Sequence, residues 1–142
     1  MSVEIEVVRE VTDEVVAAFG RLLPQLSRSA AALDAAALRA VAGAAGNHVL
    51  LARVGGGIVG TLTLVVFAIP TGTRAWIEDV VVDEAARGHG VGAALTQAAV
   101  RVAREHGART VDLTSRPSRE AANRLYERLG FEQRESKLYR LG

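Results

Sequence analysis

The sequence predicts a single α/β (α+β) domain, residues 1–142, with a mixed central sheet of six to seven strands flanked by about four helices. Three observations carry this. The chain has 142 residues and is 49% hydrophobic, which suits one domain with one core. Its apolar residues recur with period two in some stretches and at three-to-four spacing in others. Hairpins join strands in the front half of the chain, whereas the last strands alternate with helices.

Val3 to Val7 alternates and reads as the first strand. Thr12-Asp13-Glu14 opens a helix with a capping hydroxyl and first-turn acids; Val15, Phe19, Leu22 and Leu23 mark its core face, and Pro24 lies near its end. Leu33, Ala37, Leu38 and Val41 give a second helix that stops around 43–46. His48 to Arg53 is a strand, Gly55-Gly56-Gly57 a turn, and Ile58 to Ile69 the hairpin partner, with Gly60 a candidate bulge. Arg74 to Val82 forms another strand. A helix follows from about Gly90 to His106, carried by Val91, Leu95, Ala98 and Val102. Thr110 to Ser115 reads as a strand, the stretch from Pro117 to Gly130 as a helix with Gly130 at its end, and Phe131 to Tyr139 as a final strand.

Composition excludes several classes. The net charge is +1, which is too small for a typical duplex-binding face, so no nucleic-acid partner is expected. There is no Cys, so disulfides, thiolate nucleophiles and Cys-based metal sites are ruled out. His48, His89 and His106 show no metal-ligand spacing, and no metal is expected. The start lacks a signal-peptide pattern, and the long uncharged run 55–73 is Gly-rich, β-branched and interrupted by Pro70. The expectation is a cytoplasmic protein without a membrane partner.

The stretch Val80 to Leu95 is the most informative. A valine-rich strand leads into Arg87-Gly88-His89-Gly90-Val91-Gly92 and then a helix. Glycines let backbone approach a ligand closely, and the free amides of a helix's first turn favour an anion such as a pyrophosphate. A plain helix cap needs fewer glycines. A dinucleotide site formally matches Gly88, Gly90 and Ala93, with Asp112 near the place of a ribose-binding acid. Five residues separate Val82 from Gly88, however, too little chain follows for a doubly wound sheet, and Asp112 is expected inside its strand. A Walker loop fails for want of Gly-Lys-Ser/Thr.

Arg87, Gly90 and Gly92 in Arg-x-x-Gly-x-Gly, followed by Asn123-Arg124-Leu125-Tyr126-Glu127-Arg128-Leu129-Gly130-Phe131, resemble the two motifs of the GCN5-related N-acetyltransferase (GNAT) superfamily. The resemblance is strong over 74–131 and architectural before that. It implies a GNAT-type fold and an acetyl-CoA-dependent transferase. It further implies that backbone at Val80, Val81 and Val82 pairs with the pantetheine, and that amides from Arg87 through Gly88, His89, Gly90, Val91 and Gly92 to Ala93 hold the pyrophosphate. It makes Tyr126 the candidate general acid and Asn123 a pantetheine partner, and allows a homodimer.

Glu78 and Asp79 interrupt an apolar strand, where a carboxylate is costly without a task or partner. Both are candidate bases, Glu78 preferred; the competing reading is a buried ion pair. Regular alternation puts Trp76, Glu78 and Val80 on one face and Ile77, Asp79 and Val81 on the other, unless a bulge intervenes. Without Cys, direct transfer to an acceptor amine within a ternary complex is the expected mechanism. A non-catalytic acyl-CoA sensor or assembly subunit of the same fold is the alternative. Arg28, Arg74 and Arg116 raise the expectation of an acceptor carrying a carboxylate or phosphate.

Overall fold

The computed structural model describes residues 2–142. Five strands form one sheet in the order β1 (Val3–Val7), β2 (Asn47–Val54), β3 (Gly57–Ile69), β4 (Gly72–Val82) and β5 (Val111–Asp112). Neighbours are antiparallel except β4 and β5, which run parallel. Helices α1 (Asp13–Leu26), α2 (Ala35–Gly43), α3 (Val91–Glu105) and α4 (Glu120–Arg128) flank it, with a short 3₁₀ turn at Glu84–Ala86.

The mixed sheet and four helices match expectation; the strand count does not. Residues 131–142 contain no strand, and all but Phe131 are exposed. The adjacent Leu138 and Tyr139 would fall on opposite faces of any strand, and charges fill the positions around them, so this segment has no single apolar face to bury. β5 is also shorter than the expected Thr110 to Ser115. Helix α4 starts at Glu120 rather than Pro117, because the Asn123 side-chain amide and the Arg119 N–H both donate to the Arg116 carbonyl (3.0 Å each) and hold that turn outside the helix.

The sheet has a core on each face. Leu50, Leu62, Leu64, Ala75 and Ile77 pack under α3 through Val91, Leu95, Ala99 and Ala103. Val49, Leu51, Ile58 and Val81 pack under α1 and α2 through Val15, Phe19, Leu22 and Leu38. Full burial of each large aliphatic side chain contributes about 1.5–3 kcal/mol. Caps start the two front helices: the Val15 N–H donates to Thr12 Oγ1 (3.3 Å) and the Ala37 N–H to Asp34 Oδ1 (2.8 Å).

Two irregularities shape the sheet. The β2–β3 turn uses Gly55 (φ 60°) and Gly56 (φ 85°), the two positive φ values that a twisted hairpin requires. Two residues later the register shifts, since Ala52 pairs with Gly60 but Arg53 pairs with Ile58, leaving Val59 as the extra residue. A Cβ on Gly60 would lie 3.0 Å from Val91 Cγ1 and 3.2 Å from Leu95 Cδ1, so glycine lets α3 sit against β3. The second irregularity lies in β4, at the site.

Candidate active site

β4 loses its outer neighbour part-way along. It pairs with β5 only through Ala75–Val111 and Trp76–Asp112. From Ile77 onward its outer edge is unpaired, leaving backbone groups open on one side of a gap. Asp112 therefore ends its strand instead of lying inside it, the place a ribose-binding acid would take. The mainly antiparallel five-strand sheet removes the dinucleotide fold itself.

Along this open edge β4 bulges. Thr63 pairs with Glu78 and Thr61 with Val81, so Asp79 and Val80 together oppose Leu62. Asp79 has φ 50°, the one positive-φ residue other than glycine among those described. The bulge reverses the alternation. Ile77 packs under α3, yet Val81, four residues on, packs under α1, while Val80 and Val82 lean toward the α3 side. The regular assignment of faces thus holds only up to Glu78. Glu78 shares the face of its partner Thr63, the α1/α2 side, and both Glu78 and Asp79 are exposed. The buried ion-pair reading fails for both, because neither is buried or salt-bridged.

The strand then enters the glycine loop. Asp83 caps the 3₁₀ turn by accepting from the Ala85 N–H (3.1 Å), and the Glu84 N–H donates to Gln25 Oε1 (3.0 Å), tying the turn to the end of α1. Gly88 (φ 87°) and Gly90 (φ 75°) take left-handed conformations with no atom near where a Cβ would stand, so backbone geometry, not crowding, calls for glycine. Gly90 precedes α3 and offers no side-chain cap. The first helical bond is Ala94 N–H to the Gly90 carbonyl (3.0 Å), so the amides of Val91, Gly92 and Ala93 point off the helix end without intrahelical partners. The Arg87 amide, expected among the anion donors, instead donates to the Glu84 carbonyl (3.3 Å). The Arg87 and His89 side chains are exposed.

Tyr126 on α4 closes the gap. It is 8% exposed, and its ring meets Phe131 edge-on at 5.9 Å, where the Phe131 N–H returns to the Tyr126 carbonyl (3.0 Å). Burial raises the phenol pKa above its usual value, partly offset by the Arg119 guanidinium. The phenol is thus a protonated donor at neutral pH. Asn123 lies one turn earlier, with its amide nitrogen committed to the Arg116 carbonyl. Tyr126, Glu78, Asp79 and Val80 line one cavity of about 80 Å³ with Ile77, Leu113 and Thr114. The Ser115 hydroxyl beyond is buried without a hydrogen-bond partner among the described residues. A larger concavity of about 430 Å³ lies elsewhere, between Val8–Val11 and α2, but it holds neither the open strand edge nor Tyr126.

An unpaired strand edge and a buried phenol thus meet at one gap, and the uncapped start of α3 lies alongside, with Gly92 against Leu125 and Val82. The family model "Acetyltransferase (GNAT) family" matches residues 9–131. The chain belongs to this family. Members of the GNAT family generally use acetyl-CoA.

Solved structures agree with the GNAT fold. An acetyltransferase from Trypanosoma brucei is 30% identical, with 99% of each chain covered and a TM-score of 0.81. A transcriptional regulator from Bacillus halodurans C-125 is 27% identical, covering 99% of this chain and 100% of the other, with a TM-score of 0.82. An aminoglycoside acetyltransferase from an uncultured soil metagenomic sample, in complex with sisomicin, is 22% identical, with 99% and 97% covered and a TM-score of 0.80; that likeness concerns the fold alone. No curated protein matches the chain.

Leu113 and Thr114 line the cavity with no functional signal in the sequence. Leu26 also lines it and Gln25 anchors the loop; both fall in the segment 22–31, where the family resemblance sets the acceptor side. Arg119 lines it too, one of four arginines around the last helix whose favoured reading is a solvated face. Among the described residues no cluster of three or more metal-ligating side chains occurs, and no helix is long and apolar enough to cross a membrane.

Proposed function

We propose that this chain is an acetyl-CoA-dependent N-acetyltransferase that passes the acetyl group directly to a primary amine of a small molecule or peptide. The observation that carries this is the Tyr126 phenol facing the open β4 edge across one cavity, with the uncapped start of α3 beside Val82 and Leu125. The residues fit the donor. Amides at a positive helix end suit a pyrophosphate, and an unpaired strand edge suits an arm rich in amides. Gly88 to Ala93 would hold the pyrophosphate, backbone at Val80 to Val82 the pantetheine, and Asn123 Oδ1 a further amide.

The acceptor approaches from the α1/α2 face, where Glu78 stands. Glu78, directly or through water, takes a proton from the amine, with Asp79 the second candidate. The neutral amine nitrogen then bonds to the thioester carbon, the C–S bond breaks with its electron pair remaining on sulfur, and the nitrogen releases its remaining extra proton to solvent. Tyr126 gives that sulfur a proton and regains one from solvent. The net change is amine plus thioester to amide plus thiol.

An acyl-CoA sensor would need neither Glu78 nor Tyr126. Following free thiol with acetyl-CoA and a panel of amines separates the readings. Amine-dependent thiol release by the wild type, lost in Tyr126→Phe and Glu78→Gln, is expected. Tight acetyl-CoA binding without release for any amine would sink the enzyme reading.

A further inference from the structure

We infer that the acceptor is a primary amine carried on a flat apolar body, laid against a partly uncovered strip of the sheet in which Trp76 and Val65 are half-buried and Phe67 is exposed. The inference rests on the acetyltransferase reading and names its substrate class. The strip is the first half of the α1/α2 face of β3 and β4. Paired residues of adjacent strands share a face. Val65 therefore stands with Trp76, Phe67 with Arg74, and Thr63 with Glu78. This is the face that carries Val49 and Leu51, through the pairs Val49–Thr63 and Leu51–Thr61.

Helices α1 and α2 cover only part of it. Their core takes Val49, Leu51, Ile58 and Val81 from the sheet, and neither Trp76 nor Val65, Phe67 or Ile69 belongs to either core cluster. Phe67 and Ile69 remain 37% and 39% exposed. A contiguous apolar surface left bare marks a binding face. Trp76 is the chain's only tryptophan.

Two features identify the occupant. The strip is continuous with the reacting end of the gap, since Trp76 precedes Glu78 on the same face by one strand repeat, about 7 Å. Acids flank its Trp76 end, where Arg119 also lines the cavity beside Glu78. Glu78 lies at one end and Asp112 directly across from Trp76, and neither forms a salt bridge among the described residues. An ammonium drawn over Trp76 gains cation–π attraction and meets Glu78, while the apolar body covers Phe67 and Val65. Arg74 stands at the far end, one repeat beyond Trp76, with its guanidinium donating to Thr71 Oγ1 (3.4 Å). A polyhydroxylated polycation would find acids at one end only and would meet the Arg74 guanidinium at the other.

The test is steady-state kinetics with phenylalkylamines, cyclohexylalkylamines and aminoglycosides as acceptors, with acetyl-CoA affinity measured by calorimetry and mass by sedimentation. Phenylalkylamines should show the highest kcat/KM. Trp76→Ala should raise their KM about tenfold with kcat changed little, and Trp76→Phe should restore most of it. Phe67→Ser, at an exposed position, should raise KM about threefold, a smaller loss of apolar contact. Asp112→Asn should raise KM for charged amines. Acetyl-CoA affinity should not move in any of the four. Preference for aminoglycosides, or an unchanged KM in both Trp76→Ala and Phe67→Ser, overturns the inference and leaves the acetyltransferase reading standing. A stable dimer of the wild type that Phe67→Ser dissociates assigns the strip to a second copy and overturns it too. Failure of the wild type to bind acetyl-CoA overturns the reading beneath it.

Discussion

Asp112 of β5 stands opposite Trp76 of β4, and beyond that pair the two strands part. The sheet opens at that pair. On one side of it the strands close the core over Ala75 and Val111. On the other, β4 carries Glu78, a bulge at Asp79 and Val80, and an edge free to bond a ligand. The pair marks where structure ends and chemistry begins.

The bulge is expected to tolerate only certain residues at position 79. Asp79 holds φ 50°, which Asp and Gly accept and a β-branched residue does not. Asp79→Gly should change stability by less than about 0.5 kcal/mol, whereas Asp79→Val should cost about 1–2 kcal/mol. Urea denaturation of the two variants checks this. Equal stabilities would contradict the strained bulge.

The glycine loop separates backbone strain from ligand contact. Gly90→Ala introduces a Cβ with space around it but at φ 75°, so it should cost about 1–2 kcal/mol of stability. Gly92 is different. A Cβ there meets Leu125 Cδ2 at 3.4 Å, ordinary contact, so Gly92→Ala should fold normally. If amides of this turn cradle a pyrophosphate, the added methyl should weaken CoA binding about tenfold. Calorimetry on both variants measures it.

Gly60 tests the seating of α3. A Cβ there would press on Val91, Leu95 and the Val81 carbonyl at 3.0–3.2 Å. Gly60→Ala should cost about 1–3 kcal/mol by overpacking. It should also weaken CoA binding without touching the ligand, because the start of α3 must shift. Unchanged affinity in a destabilised variant would separate the two effects.

Tyr126 should act as a proton donor over the whole neutral range. Burial raises its pKa, so the folded state favours the neutral phenol more than the unfolded chain does. Its stabilising share is therefore complete below the unfolded-state pKa, about 10, and is lost as pH rises through the folded value. Tyr126→Phe should lower kcat about 10²- to 10⁴-fold while leaving CoA affinity nearly unchanged. Pre-steady-state thiol release reads this directly.

Away from the site, His48 makes stability depend on acid. Its ring centroid lies 4.4 Å from that of His106. Burial first, then His106 and Arg9, hold its pKa below the usual histidine value. The folded state resists the proton more than the unfolded chain does. Its contribution is full above about pH 6.5 and is lost as pH falls through the folded pKa. The fall in Tm from pH 8 to pH 5 should be smaller in His48→Asn than in the wild type.

Much of the site was legible in the sequence because it is local. Helix spacing placed Val91, Leu95 and Ala98 on one face, and the glycines of the loop followed from what a helix end can bind. The hairpin and the bulge beside Gly60 were likewise local. What escaped depends on contacts between distant parts. The face of Val81 reverses because of one extra residue in β4, which no pattern in β4 alone announces. The length of β5 is set by where β4 bends away, and the missing last strand by the lack of a one-sided apolar pattern after Phe131. The partly uncovered strip around Trp76 depends on how far α1 and α2 reach across the sheet, which no local pattern in β3 or β4 announces.

The central claim is direct passage of an acetyl group from CoA to an amine at this gap. Single-turnover mass spectrometry of the protein with acetyl-CoA and a phenylalkylamine tests it most directly. The account predicts acetylated amine and free CoA in equal amounts, with no acetylated protein at any time. An acetyl-protein species formed and consumed at the turnover rate, or acetyl-CoA that stays intact beside every amine tried, would contradict it.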